Sequence, residues 1–409
     1  MVVGIRTMDE LESLYYGGFS RNLTSKTNTG LTTGVGGAFN AVFGAYAWAQ
    51  LNLEANAFGI LPKYPWDKSG WRAITARPVL DLIQGETLQG GVGEGGLIPN
   101  SQIPTIDEID IRPKTMAITF ETSEVMEWLA NHSKDDIWGG LGSLRLYMAV
   151  QHKELINQAI MSDVETAAAA AGANHAGTNN FESLDRIISS DAEEDVLGGA
   201  FTDFYDPWKG STGATIDRDA ATTYDATVDS AGTLGTADGV LTDDIIRTHL
   251  RKIRIAAGKD PNVFLGSHEV YSEIQGMYLP QVRVANPYGE KIVQVDVNGI
   301  KTFDGTGVGI HVNSLYGVPF IPTKDAPQNG ATEVGRLFAL DTSDAEGFGY
   351  PRIGIQIAIP TEYYEATRRT PGYPFINSNS LVERALFRTM GETVCRHFKS
   401  QGKIRDIKL

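Results

Sequence analysis

Residues 66–120 constrain the fold more than any other stretch of this 409-residue chain. WRAITARPVLDLI, from Trp71, is extended in character. The glycine cluster GGVGEGG follows at 90–96, then LIPNSQIPTIDEIDI with Pro99 and Pro104. MAITF closes the stretch, setting Met116, Ile118 and Phe120 against small or polar neighbours, which is a strand pattern. The segment reads as a long two-stranded excursion with its glycines near the tip. A lone two-stranded ribbon is marginal in water. It needs a surface to lie on, in this chain or in a neighbour.

The glycines invite a second reading. Gly91, Gly93 and Gly96 match G-x-G-x-x-G, the spacing that brings a backbone up to a dinucleotide pyrophosphate. That chemistry requires a helix to open directly behind the glycines, so that its N-terminus meets the phosphates. LIPNSQIP follows instead, and its two prolines forbid a helix opening there. A flexible loop tip is the better reading, and a nucleotide-dependent oxidoreductase stays the weaker functional alternative.

The rest of the chain is mixed. Residues 1–36 are rich in Gly, Ser, Thr and Asn and read as an extended arm. Residues 38–58 carry a helical stripe of Phe39, Val42, Tyr46, Ala49, Leu53 and Ala57, ended by Pro62 and Pro65. A long helix is expected over 143–171, with Leu144, Met148, Leu155 and Ala159 on one face. Thr242 is placed to cap a helix with Asp243 and Asp244 in its first turn and Gly258 at its end. NVFLGS reads as a strand, SHEVYSEIQG as a helix, and VQVDVNGIKTF as a hairpin turning at Asn298-Gly299. RIGIQIAIP alternates as a strand, and the tail from Val382 reads as one or two more. Helices and strands without regular βαβ alternation make the class α+β.

Charge is uneven. The formal net charge is −15, and Asp191 to Asp244 holds 13 Asp and Glu against Lys209 and Arg218, a net of −11. This loop-rich acidic stretch within 173–241 is expected at a solvated surface. Arg396 to Leu409 has five Lys and Arg against Asp406, a net of +4. That tail reads as a solvated strand end by default, with subunit salt bridging or contact with enclosed nucleic acid as the alternatives. An acidic chain does not grip nucleic acid over its whole surface. The most apolar run, Ala41 to Ala49, is far short of the roughly 20 residues of a membrane span. With no apolar leader in MVVGIRTMDELESLYYGG, a soluble chain without a signal peptide is expected.

No catalytic or metal constellation emerges. G-x-x-x-x-G-K-[ST] and G-x-S-x-G are absent. The seven histidines show no ligand spacing and read as surface or capping residues. Asp217, Asp219 and Asp225 faintly suggest a calcium loop, but Ala221 and Thr222 stand where it needs an acid or amide and a glycine. The single cysteine, Cys395, excludes an internal disulfide. It can share a strand face with His397, yet reads as a buried structural thiol.

A long arm, a glycine-tipped ribbon, a long helix and a compact α+β C-terminal half, in this order, resemble the Hong Kong 97-type major capsid protein of tailed double-stranded DNA viruses. DIIRTHLRKIRIAAGKDPNVFLGSHEVYSEIQG resembles the helix, strand and helix of that family's A domain, and SLYGVPFIPTKDAP its G-hydrophobic-P-hydrophobic strand. Val382 to Ile407 resembles the closing strands of its P domain. The resemblance implies an N-terminal arm and helix over 1–65, an E-loop over 66–120, and a P domain over 121–241. Within that P domain lie the spine helix, 143–171, and the acidic insertion, 173–241. An A domain over 242–370 and closing P-domain strands over 371–409 complete the expected order. It further implies a non-enzymatic, cofactor-free shell subunit of the virion, assembled in the host cytoplasm into hexamers and pentamers. Such a shell encloses double-stranded DNA without sequence-specific binding and without a membrane. Portal, scaffold, protease and decoration proteins are the partners such a subunit can have. Gly90, Gly91, Gly93, Gly95 and Gly96 become the inter-subunit contact at the E-loop tip. No Lys lies between Ser69 and Pro113, so the isopeptide crosslinking of some family members is not expected through this loop. An encapsulin-type compartment with protein cargo resembles the same fold and is the structural alternative.

Overall fold

The computed structural model describes residues 55–76, 94, 105–123, 141–164, 180–197, 224–236, 239–285, 314–329, 334–344, 349–366 and 382–409. The arm, most of the first helix, the five tip glycines and the Asn298-Gly299 hairpin lie outside these residues. The chain divides into two compact units. One takes in the described parts of Met116–Leu155 and Ile359–Thr389. The other takes in those of Ala55–Thr115, Ile156–Ala358 and Met390–Leu409.

The second unit is built on a seven-stranded sheet. In chain order its strands are β5 (Thr227–Ser230), β6 (Val263–Gly266), β7 (Ser314–Leu315), β8 (Val318–Pro322), β9 (Gln328–Asn329), β10 (Val334–Leu340) and β13 (Gly402–Lys408). They line up as β5-β13-β10-β6-β8-β7, with β9 beside β10. Helices α5 (Asp243–Ala257) and α6 (His268–Ala285) contribute Ile246, Ile253, Val270 and Ile274 to its core, against Phe264, Phe320, Leu337 and Ile404.

Local signals explain several of these elements. The Thr242 hydroxyl oxygen accepts from the Ile245 N–H at 3.4 Å, Asp243 and Asp244 occupy the positive end of the α5 dipole, and Gly258 closes the helix at φ 76°. Tyr316 and Gly317, at φ 54° and 81°, form the tight turn between β7 and β8. α6 runs on past Gly276, where the sequence reading stops it. One glycine weakens a helix by about 1 kcal/mol without ending it.

A four-stranded sheet has the order β1-β11-β12-β4, from β1 (Lys63–Pro65), β11 (Ile353–Ala366), β12 (Val382–Cys395) and β4 (Lys114–Ser123). In the first unit, Phe120 and Tyr363 pack on Phe387 at centroid distances of 6.0 and 5.1 Å. MAITF therefore belongs to this sheet and not to the excursion. The short α1 (Asn56–Ile60) ends just before Pro62, as the proline signal indicates.

Three expectations are corrected. The long helix, α2, spans Leu141–Ile160 and breaks at Met161–Asp163. There the Asp163 carboxylate accepts from Arg336 at 2.8 Å, and the Val164 N–H turns to Asp185. The acidic stretch is not all solvated. Phe181–Ser189, including α3 (Leu184–Ile187), is buried, as is Glu193 on α4 (Asp191–Leu197). Nor is the basic tail a solvated end, because Lys403 and Arg405 are buried against those acids.

The Lys403 ammonium lies 3.0 Å from an Asp185 carboxylate oxygen and 2.7 Å from one of Glu193. Arg405 pairs with Glu193 and, at 3.1 Å, with Asp406. Arg336 joins Asp163 to Asp185. Burial pushes the Asp185 carboxyl up, but Arg336, Lys403 and Arg405 outweigh it and hold its pKa at about 2. Buried charges of both signs are here paired and hydrogen-bonded, the condition for tolerating them.

Candidate functional site

The excursion exists as a two-stranded sheet of β2 (Gly70–Ala76) and β3 (Thr105–Asp110). The strands are antiparallel, with Arg72 opposite Glu108 and Ile74 opposite Ile106. Residues two apart share a face of a strand. Arg72 and Glu108 therefore join Ile74 and Ile106 on one face, where they form an exposed ion pair at 2.8 Å. Ile74 is 60% exposed and Ile106 52%. Exposed isoleucines directly opposed across a two-stranded ribbon make an apolar pair that nothing among the described residues covers. Of the seven-residue glycine stretch only Glu94 is described, and it is an exposed turn residue. The five glycines named as a contact lie outside the described residues.

The ribbon is rooted in its own unit by a cluster that the sequence reading missed. The Arg396 guanidinium carbon lies 4.9 Å from the ring centre of Tyr64, 5.7 Å from that of Trp71 and 4.5 Å from that of Tyr350. It donates to the Tyr64 hydroxyl at 2.7 Å, and Tyr350 donates to Asp67 at 2.7 Å. Burial raises the Tyr64 hydroxyl to a pKa of about 12, against the pull of Arg396. YPWDKSGW shows the aromatic density, but Arg396 lies 332 positions from Tyr64, and no local pattern joins them.

A second missed cluster surrounds Glu392 on β12. Its carboxylate takes the Lys114 ammonium at 2.9 Å and N–H groups from Glu182, at 2.6 Å, and Thr393, at 3.0 Å. Glu182 lies 3.6 Å from Lys114 and 3.4 Å from Arg186. Burial raises Glu392 to about 7; Lys114 opposes that shift and the Glu182 charge adds to it.

The remaining candidates resolve as structure. Cys395 is buried, as expected. His152 and His249 are not surface or capping residues: both are buried, 2.7 Å from Thr389 and Asp229 respectively. Asp225 accepts from the Asp191 N–H at 3.0 Å, and Asp217 and Asp219 lie outside the described residues. Among the described residues, no group of three His, Cys, Asp or Glu is arranged to hold a metal, and no helix is long and apolar enough to cross a membrane.

No protein-family model and no curated protein matches the chain. Solved structures do. The chain is similar to the cyanophage A-1(L) capsid, at 15% identity and a TM-score of 0.57, over 89% of this chain and 96% of that one. It is similar to the capsid of the native GTA particle, at 11% identity and a TM-score of 0.51, over 89% and 93%. The holo-SrpI encapsulin from Synechococcus elongatus follows at 10% identity, over 88% and 93%, with a TM-score of 0.46, too low to argue from. At these identities the likeness is one of fold: an α+β, Hong Kong 97-type capsid fold.

Proposed function

We propose that this chain, folded as a Hong Kong 97-type capsid subunit, builds a closed icosahedral shell from hexamers and pentamers around double-stranded DNA. The fold carries this reading, since the likeness runs over nearly the whole length of a cyanophage capsid chain. The ribbon supports it. A two-stranded sheet with exposed Ile74 and Ile106 gains by burying that pair on a neighbour, and closed symmetry provides one for every subunit. Gly90, Gly91, Gly93, Gly95 and Gly96 would add to that contact, since missing Cβ atoms allow close approach to another backbone. The DNA would be enclosed, not read: the chain is acidic overall, and Lys403 and Arg405 of the tail are held internally. The product would be the shell of a virion, assembled in the host cytoplasm.

Electron microscopy of the purified protein, with its ultraviolet absorbance ratio, tests this. Closed particles containing DNA are expected. Particles carrying a protein cargo and no genome would move the reading to a compartment shell. A persistent 44 kDa monomer under all assembly conditions would overturn both.

A further inference from the structure

We infer that Arg396 is a pivot whose aromatic cage sets the direction in which the β2–β3 ribbon leaves its unit. The cage draws one ring from each of three segments: Tyr64 from β1, Trp71 from β2, and Tyr350 from the turn before β11. The centre is held independently, because the Arg396 N–H donates to the Arg352 carbonyl at 2.7 Å. The rings hold one another too, Tyr64 and Tyr350 meeting edge-on at 6.0 Å.

Trp71 is the ribbon's own member of the cage. Its cross-strand partner, Ile109, is buried, whereas Ile74 and Ile106, on the opposite face, are exposed. The Trp71 face of the ribbon is thus the anchored one, and the Ile74 face is open. Other hydrogen-bond ties at its base run through the β1–β2 connection, among them Tyr350 to Asp67 and Gln356 to the Lys68 carbonyl, at 3.3 Å. The Trp66 N–H donates to Ile357 at 2.8 Å and the Ile111 N–H to Ser69 at 2.6 Å. Such bonds fix where the chain passes, and leave the tilt of a two-stranded sheet about its base open. A ring held against a guanidinium face restrains that tilt.

The test is hydrogen exchange followed by mass spectrometry on the free subunit, so its outcome does not depend on shell formation. In Arg396→Gln and in Trp71→Leu, amides of β2 and β3 should exchange at least about tenfold faster than in the natural chain. Amides of β10 and β13 should stay within about twofold. Arg396→Lys, which keeps the charge but loses the planar fork, should fall between. Ribbon rates within twofold of the natural chain in both variants would overturn the pivot. So would an equal rise in β10 and β13, which means global loosening, or failure of both variants to fold, which would make the cage part of the core.

Discussion

Glu392 is a carboxyl on which burial and pairing pull in opposite directions. Its pKa of about 7 lies above the ordinary 4.5, so the folded chain holds its proton more tightly than the unfolded chain does. The stability this confers is fully present below about 4.5 and is lost as pH rises through 7. The difference corresponds to about 3 kcal/mol at 1.36 kcal/mol per pKa unit. Other groups oppose the trend. His152 and His397 are depressed, chiefly by burial, so their share is lost as pH falls through the ordinary histidine range. Asp185, near 2, acts only in acid. Glu392→Gln removes the carboxyl, and the titrations of groups that do not touch it cancel between variant and natural chain. Urea denaturation from pH 5 to 8 should show the natural chain losing a few kcal/mol relative to the variant. A constant difference over that range would mean that Lys114 keeps Glu392 ionised throughout.

At the level of elements, the ribbon separates folding from assembly. Surface substitutions away from structural features cost within about 0.5 kcal/mol. Ile74→Lys with Ile106→Asp, which sets opposite charges across the ribbon, should therefore leave the subunit's melting temperature within a few degrees of the natural chain and abolish or sharply reduce closed particles. Calorimetry and sedimentation velocity check the two halves, and particles at the natural yield would remove the ribbon from the interface. The ribbon was legible in part: its first strand is local and the prolines behind the glycines forbid a helix, but its returning strand is β3, Thr105–Asp110, and not the MAITF stretch to which the alternation points. The Thr242 cap and the Gly258 stop were legible because they too are local. The end of α2 was not: it is set by Arg336, 173 positions from Asp163. The Arg396 cage was hidden likewise, and composition alone misplaced the acids around Asp185. An acid's burial depends on whether cations reach it, and Lys403 stands 218 positions away.

Over the whole molecule, the lopsided charge becomes a folding device. The acidic stretch and the basic tail look like two surfaces of opposite sign, yet they meet inside one unit. β13 lies between β5 and β10, and Lys403 and Arg405 deliver their charges to Asp185 and Glu193. The fit is close at Gly402, where a Cβ would stand 2.4 Å from the His249 ring nitrogen Nε2. Removing one partner of a buried pair costs about 3–5 kcal/mol, against a total stability of about 5–15 kcal/mol. Lys403→Met leaves Asp185 with Arg336 and Glu193 with Arg405, so one negative charge loses its compensation. The variant should unfold at markedly lower urea, its loss near the lower end of that range. Glu193→Gln alone strips a partner from both Lys403 and Arg405 and should also destabilise. In the double variant the unpaired charges cancel, so its loss should be smaller than the sum of the two by at least about 1 kcal/mol. Strict additivity in denaturant titrations would show that Lys403 and Glu193 act separately, and no loss in either single variant would show that the tail docks by its apolar residues Ile404 and Ile407 alone.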